Sequence, residues 1–107
     1  MMTWILLSIA IVSEVAGTLS MRASEGLTRL PWLGATVVGY LVAFSLLAQV
    51  LKLGMPVGIA YGVWAAIGIA ATAVLGHLIW DDPLTWMMAL GITLIIGGVL
   101  LVETGAH

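Results

Sequence analysis

The feature that most constrains this chain is a series of long apolar segments separated by short polar connections. The segments cover approximately residues 3–21, 32–51, 57–80 and 84–102. A helix of about 20 apolar residues crosses the roughly 30 Å hydrocarbon core of a bilayer. Because backbone polar groups in lipid must be hydrogen-bonded internally, we expect these segments to be helices. The predicted fold class is therefore an all-α integral membrane protein, in which residues 1–107 form a single domain of four transmembrane helices.

The composition agrees with a membrane protein and excludes several functional classes. Hydrophobic residues make up 63% of the chain and charged residues 7%, whereas soluble domains carry about 25% charged residues. The net charge of -2 and the absence of a basic run argue against a nucleic-acid partner. The sequence contains no cysteine, no nucleophile–base arrangement and no metal-ligand spacing, so we expect neither an enzyme nor a bound metal or cofactor. We interpret the first segment as a retained span and not as a signal peptide.

The basic residues bear on the orientation of the chain in the membrane. Arg22 and Arg29 lie in the first connection, on one side of the membrane, and Lys52 lies in the second connection, on the other. Orientation follows the asymmetry of Lys and Arg, and here the asymmetry is a single residue. Either the chain inserts with the first and third connections inside, or it inserts in both orientations.

Glu14 is a carboxylate near the middle of the first predicted span, about 16 Å along a helix that begins near Thr3. A charge at that depth costs about 2.5–3.5 kcal/mol on insertion scales, and protonation removes the charge. Since no basic residue shares its face, the site suits a proton or an organic cation, and the two would compete. The alternative is a protonated side chain that joins two helices by a hydrogen bond. Helical spacing places on the same face Leu7, Ala10, Ile11, Gly17, Thr18 and Met21.

Aromatic residues in the second and third spans could complete a cation site. Tyr61 and Trp64 lie within the third span on one helical face, and Tyr40 lies in the second span above Ala43 and Phe44. An aromatic face attracts an organic cation, and more strongly where water is excluded. Ordinary packing is the alternative for each aromatic residue taken singly.

The fourth span carries a stripe of residues suited to contact between helices. A bundle of four helices is barely wide enough to enclose a ligand, so a transport pathway would be shared between chains. Small residues let membrane helices approach closely. The stripe, which we term the α4 stripe after the fourth predicted helix (α4, approximately residues 84–102), consists of Gly91, Leu94, Ile95 and Gly98.

Three segments carry a resemblance that covers nearly the whole chain. They are SEVAGTLSMRASEGLTRL, GYLVAFSLLAQVLKLGMPVGIAYGVWAAIG and GITLIIGGVLLVE. In them, Glu-Val in the first helix, SEGxTRL in the first connection and PxxxAYxxW at the start of the third helix closely resemble the small multidrug resistance family of bacterial exporters. The resemblance implies an antiparallel dimer, often formed by one chain that inserts in both orientations, in the bacterial cytoplasmic (inner) membrane.

The resemblance also implies roles for matching residues. Glu14 corresponds to the carboxylate that binds proton and substrate alternately, and the α4 stripe corresponds to the dimer interface. With the helical spacing above, the expected substrate-lining residues are Leu7, Ala10, Ile11, Gly17, Thr18, Tyr40, Ala43, Phe44, Tyr61 and Trp64. The family's third helix kinks at a Gly-x-Gly. This chain has Ala66-Ile67-Gly68 there, so Gly68 is the expected hinge.

The substrate branch follows from two further sites. Family members that resemble guanidinium exporters carry a bulky Trp just after the Glu-Val pair, where this chain has Ala16-Gly17-Thr18, and we expect these residues to leave space beside Glu14 for a bulky cation. Many members carry Ser where this chain has Ala43, which lacks a polar group that would favour a small hydrogen-bonding cation. We therefore expect a proton-coupled antiporter for lipophilic and quaternary ammonium cations, with proton and substrate competing for Glu14. The alternatives are a guanidinium exporter, one subunit of a heterodimeric exporter, and a structural membrane subunit that does not transport.

Overall fold

The computed structural model describes residues 1–105. In this range the chain forms four helices, α1 (Met2–Ala23), α2 (Leu30–Lys52), α3 (Val57–Trp80) and α4 (Trp86–Gly105), and no strand. Each of the four is long and apolar enough to cross a membrane. The prediction of an all-α membrane protein with four spans is confirmed.

The helices pack as two compact units. The first unit contains residues 1–55, and the second begins at Pro56. In the first unit α1 packs against α2, and in the second α3 packs against α4. The single four-helix domain expected from the sequence stays a prediction.

Ser24 organises the turn between α1 and α2. Its side chain is fully buried, and its hydroxyl donates to the carbonyl of Met21 at 2.6 Å and accepts from the N–H of Leu27 at 2.9 Å. The three residues Glu25, Gly26 and Leu27 have φ values of 51°, 77° and 70°. Left-handed backbone costs a non-glycine residue about 1–2 kcal/mol, so the Ser24 hydrogen bonds help to hold a turn that its sequence does not favour.

Local chemistry sets the start of α2 and of α4. Pro31 lies in the first turn of α2, where a backbone N–H is not needed for a helical hydrogen bond, and α2 begins at Leu30. The hydroxyl of Thr85 accepts a hydrogen bond from the N–H of Met88 at 3.1 Å. This is an N-terminal cap, and α4 accordingly begins at Trp86 rather than at residue 84.

The end of α3 is closed by a polar turn. Asp81 takes a left-handed conformation with φ 58°, which Asp tolerates better than most residues. The Nδ1 atom of His77 lies 2.8 Å from the carbonyl oxygen of Asp82. Because a carbonyl only accepts, Nδ1 carries the proton, and His77 acts as a partner of the turn.

Helix α4 contacts α3 lightly. A Cβ added to Gly62 of α3 would lie 3.6 Å from the Val99 side chain of α4, an ordinary contact distance. No residue of α4 within the described range is buried, and Leu94 and Leu101 are 68% and 75% exposed. Its apolar surface is therefore available to lipid or to another chain.

Candidate functional site

Helices α1 and α2 approach closely where Gly17 faces Gly39. A Cβ added to Gly39 would lie 2.9 Å from the carbonyl oxygen of Ser13 and 3.0 Å from the Cα atom of Gly17. The first distance is shorter than real Cβ contacts, the second is tighter than most of them, and both atoms that would be met belong to the backbone. The absence of a side chain at Gly39 is thus a requirement of the observed contact between the two helices.

This contact brings Tyr40 onto α1. The Tyr40 ring lies 3.0 Å from the position that a Cβ of Gly17 would occupy. Its hydroxyl lies 2.8 Å from Thr18 Oγ1, and Thr18 Oγ1 donates to Glu14 Oε1 at 2.8 Å. We term Glu14, Thr18 and Tyr40 the hydroxyl chain.

The carboxylate of the hydroxyl chain lies deep in the apolar part of α1. Glu14 is half-buried and follows the first residue of α1 by about 18 Å along the axis. The three Lys and Arg residues of the sequence lie elsewhere. Arg22 and Lys52 occupy the last turns of α1 and α2, and Arg29 precedes α2. The hydrogen bond that the structure gives Glu14 comes from the neutral Thr18 hydroxyl, and its role in binding a proton or a cation stays a prediction.

The other predicted lining residues of the first unit differ in exposure. Gly17 is buried, and Phe44 is 55% exposed. The Phe44 and Tyr40 rings meet edge-on, with 6.4 Å between their centroids and 67° between their planes. Four of the predicted residues are almost completely buried apolar side chains, namely Leu7, Ala10, Ile11 and Ala43. Since Ala43 has no polar atom on its side chain, it gives Glu14 no hydrogen bond.

The predicted residues of the second unit lie on α3. Tyr61 is 62% exposed, whereas Trp64 is buried. Gly68 is buried within the continuous α3, and its carbonyl accepts a hydrogen bond from the Thr72 hydroxyl at 2.7 Å. Such bonds to a helix carbonyl often accompany bending. The lining roles of Tyr61 and Trp64 and the hinge role of Gly68 stay predictions.

Helix α3 leaves the α4 stripe uncovered in the second unit. A Cβ added to Gly91 or Gly98 would meet no atom within 4 Å, and Leu94 and Ile95 are exposed. This surface has room for a neighbouring helix, and its role as a dimer interface stays a prediction.

The sequence did not lead us to expect a role for Gly39 or Ser24. For Gly39 a signal was present, because Ala35, Gly39 and Ala43 repeat small residues at a spacing of four on α2, a pattern typical of close helix contacts. Ser24 is one of several polar residues in the connection, and nothing in the sequence marks it as buried.

Comparison with known proteins adds independent evidence. The family model described as Small Multidrug Resistance protein matches residues 2–95. The nicotine metabolites export pump subunit NepA of Paenarthrobacter nicotinovorans is 40% identical, covering 96% of this chain and 88% of that protein. The quaternary ammonium compound-resistance protein QacE of Escherichia coli is 38% identical, covering 97% of each chain.

A third relative, the multidrug resistance protein Mmr of Mycobacterium tuberculosis (strain ATCC 25618 / H37Rv), is 40% identical and covers 99% of this chain and 100% of its own. The family match spans most of the chain, and the relatives align over nearly their full lengths. Together with the four membrane-spanning helices, these findings show that the chain is a multi-pass membrane protein belonging to the small multidrug resistance family of membrane transporters.

Proposed function

We propose that this protein is a proton-coupled antiporter that exports lipophilic and quaternary ammonium cations. The observation that carries the proposal is the position of Glu14, which lies mid-way along α1 and receives a hydrogen bond from the neutral Thr18 hydroxyl. A carboxylate at that depth is costly unless its charge is balanced. A proton and an organic cation can each balance it, and binding of one displaces the other.

This competition provides the coupling between proton and substrate. When a cation binds to Glu14 from one side of the membrane, the carboxyl group releases its proton to that side. After the transporter exposes Glu14 to the opposite side, a proton displaces the cation there. Two protons, one from each Glu14 of a dimer, are exchanged for one substrate, so a proton gradient drives the export.

Two observations support lipophilic cations over guanidinium-type substrates. The fully buried Ala43 supplies no polar group to a hydrogen-bonding cation, and the relative QacE is named for quaternary ammonium resistance. The small residue Gly17 does not leave an open volume in the first unit, because the Tyr40 ring occupies the space beside it. The space for a bulky cation must therefore lie on another side of Glu14, away from Gly17.

The nearly balanced charges support an antiparallel homodimer in the bacterial cytoplasmic membrane. Arg22 and Arg29 on one side are opposed by Lys52 on the other, an asymmetry of one residue that allows both orientations. The dimer would place the two Glu14 side chains about a pseudo-two-fold axis, with Tyr61 and Trp64 lining the site.

Replacement of Glu14 tests the proposal directly. In proteoliposomes made with this chain alone, Glu14→Gln should abolish the uptake of tetraphenylphosphonium that is driven by a pH gradient, because Gln cannot exchange a proton. The matched control is Glu103→Gln in the last turns of α4, which should transport like the unmodified chain. Gradient-driven uptake by Glu14→Gln would contradict the proposed mechanism. A panel that includes guanidinium and quaternary ammonium ions identifies the substrate branch.

A second candidate function is one subunit of a heteromeric exporter. The relative NepA is named as an export pump subunit, and it is 40% identical to this chain. The same proteoliposomes discriminate between the candidates. Uptake by the chain alone supports the homodimer, whereas a chain that inserts but transports only after a second family member is added supports the heteromer.

A further inference from the structure

The hydroxyl chain has a definite donor direction. An ionised carboxylate only accepts, and each hydroxyl has one proton to donate. When Glu14 is ionised, Thr18 donates its one proton to Glu14 Oε1 at 2.8 Å, and the 2.8 Å contact between the two hydroxyls is then donated by Tyr40 to Thr18. Both protons then point along the chain toward the carboxylate.

We propose that Tyr40 is a positioning residue that acts on Glu14 through Thr18 and sets the balance between proton and cation at the carboxylate. This inference rests on the proposed function, since it assumes that the two compete for Glu14. Tyr40 polarises the Thr18 hydroxyl, and Thr18 stabilises the ionised Glu14 to which the cation binds. Hydrogen bonds arranged in such a chain strengthen one another.

The need for such donors follows from the chemistry of the substrate class. A quaternary ammonium or phosphonium ion has no N–H group, so it balances the charge of a carboxylate without donating a hydrogen bond. A buried carboxylate with an unfilled hydrogen-bonding capacity is costly. The protein therefore supplies the donor itself, and Thr18 is placed to do so one helical turn after Glu14.

Among the titratable groups of α2, the helix that packs on α1, only Tyr40 lies close enough to influence Glu14. The titratable side chains of α2 are Tyr40 and Lys52. Lys52 lies in the last turn, about 18 Å along the axis from Tyr40. On α1 itself, Arg22 lies in the last turn, about 12 Å along the axis from Glu14. Tyr40 is thus the titratable group of α2 that is connected to Glu14.

The test is the pH dependence of tetraphenylphosphonium binding to the purified full chain. Removing the donor with Thr18→Val should make the proton compete about tenfold more strongly, because a hydrogen bond to a charged group is lost. The pH of half-maximal binding then rises by about one unit. Thr18→Ser, which keeps the hydroxyl, should restore the unmodified profile. Tyr40→Phe should raise the midpoint pH by less, because the proton should then compete only roughly threefold more strongly.

The double variant identifies the route of the effect. If Tyr40 acts through Thr18, then Thr18→Val with Tyr40→Phe should shift no further than Thr18→Val alone. At alkaline pH every variant should still bind the cation, which shows that it is folded, and the quantity compared between variants is the midpoint of each pH titration. The matched control Thr93→Val removes a hydroxyl that bonds to the carbonyl of Ala89 on α4, and its profile should not move.

Two outcomes would overturn the inference. A loss of affinity at every pH in Tyr40→Phe, with an unmoved midpoint, would mean that Tyr40 only contacts the cation. Shifts that add in the double variant would mean that Tyr40 reaches Glu14 by another route. Failure of the proposed function itself looks different, since the unmodified chain would then bind the cation independently of pH or Glu14→Gln would bind as well as the unmodified chain.

Discussion

Gly17 controls the position of the Tyr40 ring at the scale of a single residue. A methyl group at this position would lie 3.0 Å and 3.1 Å from two carbon atoms of the ring. A ring can yield by a few tenths of an ångström, whereas backbone cannot, so Gly17→Ala should displace Tyr40 without separating the helices. The hydrogen bond between the Tyr40 and Thr18 hydroxyls would lengthen as a result.

Gly17→Ala should therefore raise the pH of half-maximal tetraphenylphosphonium binding, as Tyr40→Phe does. The proton should compete with the cation roughly threefold more strongly. Combining the two changes should give no more than the larger single shift, because both act on one hydrogen bond. A titration of binding against pH for the single and double variants measures this. An additive double variant, or an unmoved profile for Gly17→Ala, would count against the role of Gly17.

The parts of the site that the sequence predicts are those that depend on one helix. Glu14 stands out because hydropathy places a carboxylate deep in an apolar span, and Thr18 follows from the spacing of one helical turn. The sequence also pointed to Tyr40, from the resemblance, as a lining residue. Its hydrogen bond to Thr18 depends on how α1 and α2 are aligned, which no single-helix pattern determines.

The contact between α1 and α2 depends on Gly39 at the scale of the element. Glycine within a helix costs about 1 kcal/mol relative to alanine, so Gly39→Ala would stabilise α2 if it were an isolated helix. In the protein the new Cβ would lie 2.9 Å from the carbonyl oxygen of Ser13, and the helices would have to move apart. Gly39→Ala should therefore lower stability by about 1–3 kcal/mol and disrupt the hydroxyl chain.

Gly34 offers a matched control on the same helix. A Cβ added there meets no atom within 4 Å in the described chain, so Gly34→Ala should be neutral or stabilising by up to about 1 kcal/mol. Thermal unfolding of both variants in detergent, at one protein and detergent concentration, gives the comparison. Equal melting temperatures for Gly39→Ala and Gly34→Ala would show that the contact at Gly39 contributes little.

The helices themselves were predictable because a length of about 20 apolar residues admits few alternatives in a membrane. The connections were less so, because their conformation depends on individual hydrogen bonds. Glu25 and Leu27 adopt left-handed backbone that their residue types disfavour, and Ser24 supplies hydrogen bonds that hold the turn. The start of α4 likewise depends on the Thr85 cap, which hydropathy does not detect.

At the scale of the whole molecule, α4 presents apolar surface that its neighbour α3 does not cover. Helix α4 has no buried residue in the described range, although it is as apolar as the other spans. Lipid would cover such a surface, and so would a second chain. The two cases differ in what they require, since lipid adapts to a bulky side chain, whereas a packed helix needs small residues at the contact.

Gly97 and Gly98 allow the two cases to be separated. A Cβ added to either residue meets no atom within 4 Å in residues 1–105, so a substitution at either position acts mainly on what lies outside the chain. The two positions differ by about 100° around the helix, and Gly98 belongs to the α4 stripe while Gly97 lies beside it.

If the α4 stripe is the dimer interface, Gly98→Leu should weaken dimerisation by about tenfold or more, because overpacking a close contact typically costs 1–3 kcal/mol. Gly97→Leu should leave dimerisation nearly unchanged. Energy transfer between labelled chains in bilayers, measured across protein-to-lipid ratios, gives both dissociation constants. Loss of transport by Gly98→Leu together with loss of energy transfer would link the dimer to function. Equal dissociation constants for the two variants would instead mean that the stripe faces lipid and that the chains associate through another surface.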